Sequence, residues 1–200
     1  MINFEEYLYE RVKPIIENWN DPGIYAISFY VYSNGAFTYQ HYNNISEFAI
    51  SYNTEEDNKK FANPYASENE VRWNYAFWRQ NTTHIIDPNE EGNEGIRMLF
   101  QWYSENGIEN IGFNSDESQY DENYQYIGKG PGGYYELLTA VSNVARKLQL
   151  DEFIREKFGA IPIIIHGLEY NHLVYSATEN ANPNGEAADF LKALETCFGI

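Results

Sequence analysis

Residues 24–32 (Ile24, Tyr25, Ala26, Ile27, Ser28, Phe29, Tyr30, Val31, Tyr32) constrain the fold most. Nearly all nine are β-branched or aromatic, the types that suit a pleated surface, and the run is closed by Ser33-Asn34-Gly35. It reads as a strand. Asn-Gly is the strongest short hairpin signal, so residues 37–42 are expected to return antiparallel to it. Residues 48–52 are a third strand candidate, followed by a polar loop that runs through Pro64 to about Glu68. Residues 161–168 form a short, apolar run, broken only towards its end by His166, of the kind found in buried strands.

Helical spacing fills much of the remainder. Phe4, Tyr7, Leu8, Val12, Ile15, Ile16 and Trp19 recur three and four residues apart over 3–19, with Pro14 inside the run and Asp21-Pro22-Gly23 ending it. The 71–78 segment fits either period, and Ser67 with Glu70 supplies a capping-box start that favours helix. Further helices are expected over 94–105, ended by Asn106-Gly107, over 134–147, over 151–158 before Gly159, and over 186–197. This order predicts one α+β domain. Its sheet is expected to be mostly antiparallel, of about four to five strands with helices packed on one face, and to carry an acidic, loop-rich insert around 81–131.

Charge limits the partners. The chain has 13 Lys and Arg against 30 Asp and Glu, a net charge of −17 over 200 residues. Ten of the acids and one base, Arg97, fall within 81–128. Nucleic acid is excluded as an expected ligand, because its binding rests on Lys and Arg neutralising phosphates. Anionic membrane surfaces are disfavoured for the same reason. The opening residues lack the basic and apolar regions of a secretory signal, and Cys197 has no intrachain partner. A reducing, cytoplasmic setting is the expectation.

Three constellations could carry chemistry. His166, Glu169 and His172 are three residues apart, and two imidazoles with a carboxylate suit Zn or Fe(II) if a helix holds them on one face. They follow an apolar strand, however, so the expected geometry is that of an exit turn. Gly128-Lys129-Gly130-Pro131-Gly132-Gly133 precedes a helix and could cradle an anion, but no strand leads into it and the phosphate-loop pattern is missing. Asp116, Glu117, Asp121 and Glu122 flank Tyr120, with Tyr124 and Tyr126 just beyond. Tyrosines are enriched at interfaces and acids steer basic partners, so this segment reads as a protein-binding surface. Cys197 is expected to be a packed residue, Trp19, Trp73, Trp78 and Trp102 core or core-edge residues, and Arg72 one half of a structural ion pair. No cofactor is expected.

The segments Tyr25-Ala26-Ile27-Ser28-Phe29-Tyr30-Val31-Tyr32 and Tyr52-Asn53-Thr54-Glu55-Glu56 also support a family resemblance. So do Arg72-Trp73-Asn74-Tyr75-Ala76-Phe77-Trp78 and Pro162-Ile163-Ile164-Ile165-His166-Gly167-Leu168-Glu169-Tyr170. Together they resemble the uncharacterised bacterial domain family of the DUF4303 type. The resemblance spans most of 1–170. It implies a small cytosolic α+β protein without assigned catalytic residues, some of whose relatives look like immunity proteins of toxin systems. The expected function is therefore non-enzymatic binding of a basic protein, such as a toxin, with a metal-dependent hydrolase-like enzyme using His166, Glu169 and His172 as the alternative.

Overall fold

The computed structural model describes residues 3–61, 65–114, 119–122 and 124–200. The expected helix over 3–19 forms as α1, Phe4–Glu17, with Asn3 as its N-cap. It buries Phe4, Leu8, Val12 and Ile16, four residues apart, as a core-facing stripe requires. The long strand forms as β1, Ile24–Ser33.

Its antiparallel partner is not 37–42. Residues in that stretch fold into a small hairpin of β2 (Thr38–Tyr39) and β3 (Tyr42–Asn43), and the chain returns along β1 only as β4, Ser46–Thr54. The reason is burial. β1 is covered along most of its length and needs an equally long partner that tolerates the interior. All nine residues of β4 are buried, whereas Thr38 is exposed and Tyr39 only partly covered.

Two elements arise where the sequence suggested loop. Thr54 caps α2, Glu55–Lys60, with its hydroxyl accepting from the Asp57 amide. Thr83–Ile86 forms β5, a short edge strand beside β4. The 71–78 segment resolves into α3, Glu68–Trp73, with the Ser67/Glu70 capping box in place, followed by one 3-10 turn. Then come α4 (Glu94–Glu105), α5 (Tyr134–Leu150), α6 (Phe153–Phe158), β6 (Ile163–His166), α7 (His172–Ala181) and α8 (Ala188–Ala193). α8 runs on into a π turn at Leu194–Phe198. Among the described residues no helix is long and apolar enough to cross a membrane.

The class is α+β, but the sheet is mixed. Its order is β5-β4-β1-β6, and β6 lies parallel to β1, with Ile27 opposite Ile163 and Tyr30 opposite His166. Nor do helices cover only one face. Ile27, Phe29 and Val31 join the main core with residues of α1, α4 and α5. The alternate face packs Ala26 and Ile164 against Trp73, Trp78, Phe190 and Leu194. Side chains alternate across a strand, so a strand apolar at successive positions needs cover on both sides. α3, the 3-10 turn and α8 provide the second layer. Trp19 and Trp102 pack at the edge of the main core.

Arg72 ties that second layer down. Its guanidinium makes two hydrogen bonds to the Glu55 carboxylate, at 2.9 and 2.8 Å, and lies 3.8 Å from the centre of the Tyr25 ring. Its carbonyl accepts from the Tyr25 hydroxyl and from the Trp78 indole. The Arg72-Trp73 segment is thus a structural latch. Glu55 is the ion-pair partner, although Glu70 stands closer in sequence.

The outer edge of β6 is closed by side chains. Asn182 accepts from the Ile163 amide at 2.9 Å and donates to the Ile163 carbonyl at 2.8 Å. Thr178 does the same for Ile165, at 3.1 and 3.0 Å. These two residues supply what a neighbouring strand would supply, and they remove an open sheet edge. Asn182 also donates to the Thr178 carbonyl and accepts from Gln149, so all of its bonding capacity is used in a buried site. Replacing it leaves both Ile163 groups unpaired and costs the Gln149 amide one of its two partners, and unsatisfied buried groups cost on the order of 1–3 kcal/mol each. We expect Asn182→Ala to lower the unfolding free energy by about 3 kcal/mol in urea titrations. A loss below about 1 kcal/mol would mean that the edge is not held this way.

Candidate functional site

The chain leaves β6 through Gly167-Leu168-Glu169-Tyr170-Asn171 before α7 begins. Asn171 caps α7, its side-chain oxygen accepting from the Leu173 and Val174 amides. This capping asparagine is the sequence signal that marks α7, although residues 172–181 lack clear helical spacing. The exit turn forms one wall of a cleft of about 540 Å³.

The opposite wall is built from the acidic segment. Tyr120 and Tyr126 form an antiparallel bridge, with their rings 5.5 Å apart, edge to face. The Asp121 amide donates to the Gln125 carbonyl and the Gln125 amide to the Asp121 carboxylate, closing a tight turn. Tyr124 has positive φ within that turn and is 89% exposed. Gln125 donates to the Gly199 carbonyl and so ties the hairpin to the C-terminal residues. There Phe198 packs edge to face on Tyr170, 5.0 Å away.

The floor is supplied by Tyr32 at the end of β1 and by Tyr134 at the start of α5. Gly130 lies against the Tyr134 ring, and Gly132 and Gly133 pack closely on their own neighbours. A Cβ on Gly132 would fall 2.1 Å from the Asn110 carbonyl oxygen, and one on Gly133 would fall 2.8 Å from the Tyr103 ring. The Gly133 carbonyl accepts from the Tyr103 hydroxyl. The glycine-rich stretch considered as an anion cradle is therefore accounted for by close packing.

Of the residues singled out in the sequence, Tyr120, Tyr124, Tyr126 and Glu169 converge on this cleft. Asp121 holds the hairpin turn, and Glu122 is exposed beside it. Asp116 and Glu117 lie outside the described residues. Spacing gave no sign that Tyr32, Tyr134, Tyr170 and Phe198 belong to the same site, because they come from four separate elements.

His166, Glu169 and His172 are not brought together. Among the described residues no group of three or more His, Cys, Asp or Glu side chains is placed to hold a metal. His166 is buried at the end of β6, whereas Glu169 and His172 are exposed on the turn and at the start of α7. Only on a continuous helix would their spacing align them, and the helix starts at His172 itself. Cys197 is half-buried on the C-terminal π turn, with Sγ 3.6 Å from the Thr196 hydroxyl.

Both ring nitrogens of His166 are engaged. Nδ1 lies 3.1 Å from the Gly167 carbonyl, which can only accept, so Nδ1 carries the proton. Nε2 then accepts from the Ser28 hydroxyl at 2.6 Å. Rings of Tyr30, Tyr75 and Trp78 surround the imidazole at 5.0–5.7 Å. Burial pushes its pKa down to about 4.

In the unfolded chain the same group titrates near 6.5. The folded form thus resists a proton that the unfolded form takes up, and stability falls as pH drops from about 6.5 towards 4. Between pH 7 and 4, wild type is expected to lose about 3 kcal/mol more unfolding free energy than His166→Gln. Denaturant titrations across that range check this, and parallel profiles for the two proteins would refute it. In comparisons with known proteins, no family model, curated protein or solved structure matches the chain.

Proposed function

We propose that this protein is a non-enzymatic binding domain that holds a basic segment of a partner protein in its tyrosine-lined cleft. One observation carries the reading. The cleft is walled by aromatic rings, and Glu169 is the only charged side chain among the described residues that line it. Aromatic faces attract Lys and Arg side chains through their quadrupoles, most strongly where water is excluded. Glu169 adds a carboxylate at the rim, and the −17 charge of the chain raises the local concentration of cationic partners while repelling anionic ones.

Binding is favoured over catalysis because the described lining contains no imidazole, thiol or second acidic side chain that could divide acid and base roles. The immunity-type, toxin-neutralising role implied by the family resemblance is one form of this activity: a basic toxin is the kind of partner such a surface would take.

Calorimetric titration with a short peptide rich in Lys and Arg tests the reading. Affinity is expected to fall with added salt. Tyr124→Ala is expected to weaken binding about tenfold, roughly 1.4 kcal/mol, and Glu169→Gln to flatten the salt dependence. Equal binding of an acidic peptide of the same length, or unchanged affinity in both variants, would overturn the proposal.

A further inference from the structure

The second face of the sheet contains a hollow that the cleft does not use. Ser28 of β1 and Ser51 of β4 are direct cross-strand partners, and Ala26 and Ala49 flank them on the same face. The small side chains of Ser28 and Ser51 leave space above the sheet where larger ones would fill it. That space is about 250 Å³. Tyr30, Tyr75 and Trp78 wall it, and His166 and Leu168 close the side towards the cleft. Protein interiors pack almost as densely as organic crystals, and an apolar cavity of roughly 150 Å³ suffices to hold benzene. The hollow here is larger and has a polar floor.

The hydrogen bonding of that floor is directional. Since Ser28 gives its only hydrogen to His166 Nε2, Ser28 Oγ can only accept from anything above it. The Ser51 hydroxyl has no hydrogen-bond partner among the described residues. Charge is neutralised around the rim. Arg79 is paired with Asp21 and lies 3.5 Å from Asp57, and His84 stands 3.6 Å from Glu47. The described lining includes no carboxylate, so a cationic guest would have no counter-charge. An anionic guest would meet a neutral imidazole and an already paired guanidinium.

We propose that this hollow is a second binding site, for a small uncharged planar aromatic molecule bearing a ring N–H or O–H that donates to Ser28. Phenol and indole represent the class. The aromatic walls supply stacking faces, and Ser28 and Ser51 fix the polar edge. Among the described residues the site shares only Leu168 with the cleft and does not rest on the reading of it, so its failure would leave that reading untouched.

Titration of the intact protein with phenol, indole, benzene and benzoate, followed by calorimetry and by NMR, tests the proposal. Phenol or indole is expected to bind one to one at least tenfold more tightly than benzene, with no binding of benzoate. The Trp78 indole resonance is expected to shift as the site fills. Ser51→Leu fills the hollow from the neighbouring strand without touching the Ser28–His166 pair; it should abolish binding and maintain or raise Tm. Benzene binding as tightly as phenol would overturn the proposal, as would shifts confined to residues of the cleft. No binding of phenol or indole at millimolar concentration to the folded wild type would also overturn it. If Ser51→Leu fails to fold, the wild-type Trp78 shift decides the question alone.

Discussion

The rest of the structure depends on how β6 is held against β1. A parallel edge strand of four residues would ordinarily present a row of unpaired amides and carbonyls to water. Here Thr178 and Asn182 satisfy Ile163 and Ile165 from the side, and Gln149 of α5 braces Asn182 while also donating to the Ile161 carbonyl. β6 is thereby fixed between β1 and α7. This places His166 beside Ser28 and sets the turn from Gly167 to Asn171 against the acidic hairpin.

The two hollows share Leu168, which is 47% exposed. On one side of it the lining is tyrosine-rich and carries Glu169. On the other it is smaller and ringed by aromatic side chains, with Arg79 and His84 set against carboxylates at the rim. The difference follows from the sheet. The smaller hollow sits directly over strand residues, where buried charge is costly. The cleft lies beyond the strand ends, where loops bring polar and aromatic side chains together at the surface.

Much of the fold was legible in the sequence because local periodicity decides it. The stripe of Phe4, Leu8, Val12 and Ile16, the capping box of Ser67 and Glu70, and the stop at Asn106-Gly107 each act within a few residues. The misreadings are tertiary. Asn34 does begin a turn, accepting from the Phe37 and Ala36 amides, but the partner of β1 is set by burial further along the chain. The parallel seat of β6 depends on a long crossover and on Asn182, and neither leaves a periodic trace. In the site, Tyr120, Tyr124 and Tyr126 were visible as an interface-like cluster, whereas Tyr32, Tyr134, Tyr170 and Phe198 joined them only through folding. Ser28 was hidden in an apolar strand, since no motif surrounds it.

In the proposed binding reading, the negative charge attracts cationic partners at long range and the tyrosines supply the grip at short range, both within one cleft. Amide hydrogen exchange with and without a peptide rich in Lys and Arg tests it most directly. Slowed exchange at Tyr120, Gln125 and Tyr126 together with Leu168, Glu169 and Tyr170 is the predicted result. Protection confined to other parts of the surface, or no protection at saturating peptide, would contradict it.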